Sequence, residues 1–310
     1  MAFDRLIEKI IEKQNPTMAG LDPKLAFIPQ HILDAAVEKY GKTLEAAAEA
    51  VLQYNKGLID ALADVIPAVK PQAAYYEQYG WAGVKALYET VQYAQSKGLF
   101  VIMDAKRNDI GATMEAYSTA HLGTVEVFGE TAEPFGSDAL TVNGYLGTDG
   151  IKPLLNVCKE RDRGIFVLAK TSNPSSGELQ DQKLESGKTV YETMADFCEE
   201  WGADTRGKYG YSAVGAVVGA TYPDQLKELR EKAPHTFFLV PGYGAQGGGA
   251  DDAAPAFDKT GLGAIINSSR AVLCAWQTEN CPGEEYAAAA RREAIRMRDD
   301  VRARIGEIHG

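Results

Sequence analysis

The chain has 310 residues, 45% of them hydrophobic and 24% charged, with a net charge of −11. That length supports one large barrel or two modest domains. The acidic balance excludes a general nucleic-acid or anionic-membrane surface, while leaving room for a local basic pocket, and no apolar run is long enough to span a bilayer.

Residues Met1–Lys13 carry apolar side chains at Phe3, Leu6, Ile7, Ile10 and Ile11, a spacing that predicts an amphipathic helix. We expect segment 1–16 to pack on the body of the protein; it lacks the continuous apolar stretch of a signal peptide. Apolar, β-rich runs then alternate with amphipathic stretches. Strands are expected at Thr17–Leu21, Ile66–Lys70, Phe100–Asp104, Ala139–Val142, Ile165–Ala169, Ala213–Val218, Phe237–Val240 and Ala264–Asn267. Helical patterns lie between them at Leu44–Ile59, Gly83–Lys97, Ile151–Glu160, Lys188–Trp201 and Tyr222–Lys232. This alternation points to an α/β chain, a single (β/α)8 barrel domain over residues 1–310. A doubly wound open sheet is the alternative, weakened because no G-x-G-x-x-G follows the first strand.

Two polar stretches read as rim insertions. Ser175–Gly187 follows the fifth strand and Thr278–Glu285 the eighth; each is a lid or a plain surface excursion. Glu285–Ile308 reads as the closing outer helix. Cys158, Cys198, Cys274 and Cys281 are scattered, as are the four histidines, so we expect free thiols in a cytoplasmic protein and no dedicated metal site.

The polar residues concentrate at strand C-termini, where α/β folds keep their chemistry. They are Asp22 after the first strand, Lys70 in the second, the run Asp104-Ala-Lys106-Arg-Asn-Asp109 after the third, and Ser172 after the fifth. Side chains two apart on a strand share a face, so Asp104 and Lys106 should point the same way. Nearby opposite charge favours an ammonium, and such a group can deliver a proton. The plain alternative is a surface ion-pair run. Glycines in Pro241–Gly249 allow backbone amides to approach an anion, and Arg270 and Gln246 can add contacts, which suggests a phosphate grip rather than a ligand-free flexible loop.

On these residues the chain resembles orotidine 5′-monophosphate decarboxylases of the longer bacterial type. Asp104-Ala-Lys106-Arg-Asn-Asp109-Ile110 fits that family's Asp-x-Lys-x-x-Asp-Ile motif, Lys70 its second-strand lysine, Pro241–Gly248 its phosphate loop and Arg270 its closing arginine. The resemblance implies a (β/α)8 barrel, a homodimer and decarboxylation of orotidine monophosphate to uridine monophosphate, with no cofactor and no metal. It implies that Asp104 sits beside the substrate carboxylate, Lys106 donates the proton, and Lys70 orients Asp104. By the same resemblance Asp109, Ile110 and Thr113 reach the neighbouring subunit's site. Asp22 would bind a ribose hydroxyl, Ser172 the pyrimidine, and Gln246, Arg270 and the backbone at Ser269 the phosphate, with Pro241 opening the substrate-binding loop. Many relatives carry glycine where Ser269 stands.

Losing carbon dioxide from this ring leaves electrons in an sp² orbital with no π-system to receive them. A positioned ammonium answers both needs, stabilising the charge and supplying the proton. Three other readings stay open at this stage. Related sugar-phosphate barrels, such as keto-gulonate-phosphate decarboxylases or hexulose-phosphate synthases, share the Asp-x-Lys-x-x-Asp pattern but use magnesium. A Schiff-base aldolase would need a deprotonated lysine, which neighbouring acids oppose. A non-catalytic phosphate-binding barrel has no need of the Asp/Lys array.

Overall fold

The computed structural model describes residues 1–244 and 248–310. Eight parallel strands close into a barrel: Thr17–Leu21 (β1), Ala68–Pro71 (β2), Phe100–Arg107 (β3), Ala139–Val142 (β4), Gly164–Lys170 (β5), Val214–Val218 (β6), Phe238–Val240 (β7) and Ala264–Ser268 (β8). Each pairs with its neighbours in chain order, and β8 returns to β1 through Thr17 opposite Ile266. These strands are apolar on both faces because one face fills the barrel and the other lies under helices.

Helix Ala2–Lys13 closes the end where the strands begin. Phe3, Leu6, Ile7 and Ile10 are buried against Phe100, Phe166, Phe237 and Ile265. The Phe3 ring lies 4.8 Å from that of Phe166 and 5.5 Å from that of Phe237. Each such side chain removed from water contributes about 1.5–3 kcal/mol, so the helix is a fixed plug. Arg5 adds ion pairs to Asp138 at 2.7 Å and Asp162 at 3.1 Å.

The expected strands and helices are present, with shifted ends. The helix expected from Lys188 begins at Val190, because Thr189 and Glu192 form a reciprocal cap: the Thr189 amide donates to Glu192 at 2.7 Å and the Glu192 amide to Thr189 Oγ1 at 3.2 Å. β3 runs on to Arg107, beyond the expected Asp104, through a register irregularity at which Lys106 takes a left-handed φ of 48°. Besides short four-residue helices and 3-10 turns, three elements lay outside the sequence expectations. Helix Gln30–Tyr40 buries only Ala36, helix Gly111–Leu122 buries Ser118 and His121 beside Met114 and Leu122, and the hairpin Val125–Val127/Glu130–Ala132 is exposed throughout. The last two carry no apolar stripe for a periodicity argument to find, whereas Gln30–Tyr40 does, at Ile32, Leu33, Ala36, Val37 and Tyr40.

The first rim stretch is structured. It holds a 3-10 turn, Pro174–Ser176, a short helix, Gly177–Gln180, and a bridge between Lys183 and Thr189. The second follows helix Ala275–Thr278 and ends in a 3-10 turn, Gly283–Glu285. No helix among the described residues is long and apolar enough to cross a membrane.

Candidate active site

The C-terminal strand ends open into a cavity of about 570 Å³. Asp104 is its electrostatic centre and is 6% exposed. One carboxylate oxygen, Oδ2, accepts from Lys70 Nζ at 2.6 Å and Gln72 Nε2 at 3.0 Å. The other, Oδ1, accepts from Lys106 Nζ at 2.6 Å and Thr141 Oγ1 at 2.8 Å. Four donors thus converge on one carboxylate from β2, β3, β4 and the β2 loop.

Burial alone would raise the Asp104 pKa, but the Lys70 and Lys106 ammonium groups outweigh it and hold the carboxyl well below its usual range. Burial likewise opposes the charge on Lys70, and Asp104 with Asp22 reverses that and raises its pKa. The Lys70 ammonium lies 3.8 Å from Asp22 Oδ1. Both groups therefore stay ionised across the neutral range.

Lys106 differs from Lys70 in exposure. Its side chain is 44% exposed, against 5% for Lys70. An ammonium has three N–H donors. Lys106 uses one on Asp104 and stands on the cavity wall, where another can meet a ligand. Its left-handed backbone is held by a bond from its amide to Thr141 Oγ1 at 3.0 Å. Thr141 therefore fixes the backbone of Lys106 and the carboxylate that Lys106 meets.

The opposite wall is built from β7 and β8. Pro241, Gly242 and Tyr243 leave β7 with Gly242 at φ 101°, a conformation only glycine adopts readily. Tyr243 donates its hydroxyl to Asp300 at 2.6 Å. Asn267, Ser269 and the exposed Arg270 complete this side. A third wall comes from Thr171, Ser172, Asn173 and Gln180 after β5.

Of the residues singled out in the sequence, Asp22, Lys70, Asp104, Lys106, Ser172, Pro241, Ser269 and Arg270 line this one cavity. Gln246 lies outside the described residues. Asp109, Ile110 and Thr113 are not on the cavity wall: the chain turns outward after Arg107, Asp109 accepts the Ile110 amide at 2.8 Å, and Ile110 is 51% exposed. Within one chain, therefore, Asp109 does not join the Asp104/Lys106/Lys70 array. Sequence reasoning gave no role to Gln72, Thr141, Gln180 or Asn267. Thr141 carried one signal, a lone hydroxyl in the fully buried strand β4; Gln180 carried none, lying inside a polar stretch.

A family model described as "Orotidine 5′-phosphate decarboxylase / HUMPS family" matches residues 43–280. The chain is 46% identical to an orotidine 5′-phosphate decarboxylase of Rhodopirellula baltica, over 95% of this chain and 93% of that one. It is 43% identical to the same-named protein of Caldicellulosiruptor bescii, covering 88% and 90% of the two. Among solved structures it is similar to a Leishmania donovani OMP decarboxylase, with a TM-score of 0.70, 30% identity and coverage of 96% and 99%.

Proposed function

This chain belongs to the orotidine 5′-phosphate decarboxylase / HUMPS family and is a decarboxylase converting orotidine 5′-monophosphate to uridine 5′-monophosphate in pyrimidine biosynthesis; we propose that Lys106, steered by Asp104, supplies the proton. The observation that carries this reading is the double clamp on Asp104, with ammonium groups at 2.6 Å on each oxygen. In the proposed step the bond between the ring carbon and the carboxylate breaks, its electron pair stays on the ring carbon, and a proton from Lys106 Nζ forms the new C–H bond. The lysine is reprotonated from solvent through the open cavity.

Preorganisation supports the step energetically. The lysine is held where negative charge develops, so no dipole must reorganise during reaction. The substrate carboxylate, set beside Asp104, meets like charge that departing carbon dioxide relieves. Phosphate contacts from Arg270 and the backbone at Ser269, beside the loop that Pro241 opens, supply remote binding energy, with Asp22 on the ribose and Ser172 on the pyrimidine. Gln246 belongs to the same proposed phosphate contact.

We further propose a cytoplasmic, cofactor-free and metal-free homodimer with shared sites. Support comes from Asp109, Ile110 and Thr113, which sit outside their own cavity on a surface where Ile110 is 51% exposed. The direct test follows the loss of orotidine monophosphate absorbance with excess chelator present. Rapid conversion to uridine monophosphate is the expected outcome. No conversion by folded protein without added metal, with turnover of a sugar phosphate once magnesium is restored, would overturn the assignment.

A further inference from the structure

Lys170, the last residue of β5, is a fully buried charge that the proposed chemistry does not use. It is absent from the cavity wall. Its ammonium instead meets Asp181 Oδ1 at 2.6 Å and Ser176 Oγ at 3.2 Å, and lies 4.3 Å from the centre of the Tyr222 ring. A buried ammonium is costly unless it is paired, so these partners are required where they stand. Both Ser176 and Asp181 belong to the rim insertion and flank its short helix, Gly177–Gln180.

That helix ends in Gln180, which is on the cavity wall. The Thr171 amide donates to Gln180 Oε1 at 2.9 Å, and Gln180 Nε2 donates to Thr171 Oγ1 at 2.8 Å. A backbone N–H requires an acceptor, so the amide orientation of Gln180 is determined by this pairing. The pairing leaves Gln180 with a second N–H and a second lone pair on Oε1. A donor and an acceptor side by side on one amide complement the carbonyl and imide edge of a uracil-type ring.

We infer that Lys170 is a positioning residue which, through Asp181, holds Gln180 and Thr171 on the cavity wall at the end that receives the pyrimidine ring, so that Gln180 helps select the base. This rests on the decarboxylase reading for the identity of the ring. It assigns the polar rim stretch a fixed wall rather than a loose excursion.

The test compares two ligands that share a phosphate and a ribose but differ in the base. Uridine 5′-monophosphate and ribose 5-phosphate are titrated calorimetrically into the wild type, Gln180→Ala and Lys170→Met. Loss of one such contact is expected to weaken uridine monophosphate about tenfold while ribose 5-phosphate is unchanged. For orotidine monophosphate, KM should rise more than kcat falls. A purely structural role would weaken both ligands alike, and an unchanged ratio of the two affinities in Gln180→Ala overturns the proposal. If Lys170→Met does not fold, Asp181→Ser releases the clamp from its 43% exposed side and should give the same ratio change. Wild-type protein that binds both ligands but converts no orotidine monophosphate would sink the decarboxylase reading instead.

Discussion

The hydroxyl of Ser269 lies 1.9 Å from where a Cβ on Gly20 would sit. Gly20 belongs to β1 and Ser269 follows β8, and the two strands pair with Ala19 opposite Ser268. Only the missing side chain at position 20 lets Ser269, and Arg270 after it, lie against β1 at the cavity rim. Gly20→Ala is therefore expected to displace this wall and lower kcat/KM for orotidine monophosphate by about 10- to 100-fold. Ser269→Gly alone should change little. The Gly20→Ala/Ser269→Gly double variant should recover most of the loss, because the remaining near contact, Asn267 Oδ1 at 2.9 Å, is the end of a flexible side chain. Steady-state kinetics on the four proteins decide it; a double variant no better than Gly20→Ala would remove Ser269 as the cause.

Lys106→Ala is expected to abolish nearly all turnover while leaving the protein folded. Proton transfer alone accounts for roughly 10²–10⁴-fold, and loss of the preorganised charge adds to it. The side chain is 44% exposed, so its removal should move the melting temperature only slightly. Single-turnover absorbance with a melting curve on the same sample separates the two effects. Near-normal turnover would end the proton-donor assignment.

Asp104 also links the site to stability. Its folded pKa is depressed below the ordinary 3.8, so its stabilising contribution is complete above that value and is lost as pH falls toward the folded pKa. Lys70 has the opposite sign: its pKa is raised above 10.5, so its contribution is complete below that pH and is lost only as pH rises beyond it. Asp104→Asn leaves the buried Lys70 with only Asp22, 3.8 Å away. Breaking a buried pair in this way typically costs about 3–5 kcal/mol. The stability gap between wild type and Asp104→Asn should be flat from about pH 5 to 9 and close below the ordinary Asp range. Denaturant melts across that range measure it, and a gap that widens on acidification would contradict the linkage.

How far the sequence could be read depended on whether a residue's partner lay close along the chain. The strands were legible because barrel packing demands continuous apolar runs, and Asp104 with Lys106 because they are two residues apart. Even there the reason was incomplete. They meet at 2.6 Å across an irregularity where Lys106 is left-handed and braced by Thr141, rather than along a regular strand. Gln180 and Asp181 were illegible because their meaning comes from Thr171 and Lys170, nine and eleven residues earlier across a turn. The outward turn that takes Asp109 away from the cavity left no mark in side-chain pattern at all.

That turn gives the last expected outcome. If Asp109 serves a partner's cavity, each site of a dimer draws Lys106 from one chain and Asp109 from the other. Asp109→Ala and Lys106→Ala homodimers should both be nearly inactive. When the two variants are mixed and allowed to exchange subunits, half of the chains' combinations at random are hybrids. In a hybrid, one site carries both lesions and the other carries neither, so roughly a quarter of wild-type activity should return if exchange is complete and subunits pair without bias. Native mass spectrometry of tagged chains reports the exchange independently of the assay. Proven hybrids with no recovered activity would show that Asp109 does not act across an interface, and its cap on the Ile110 amide would then be its whole role.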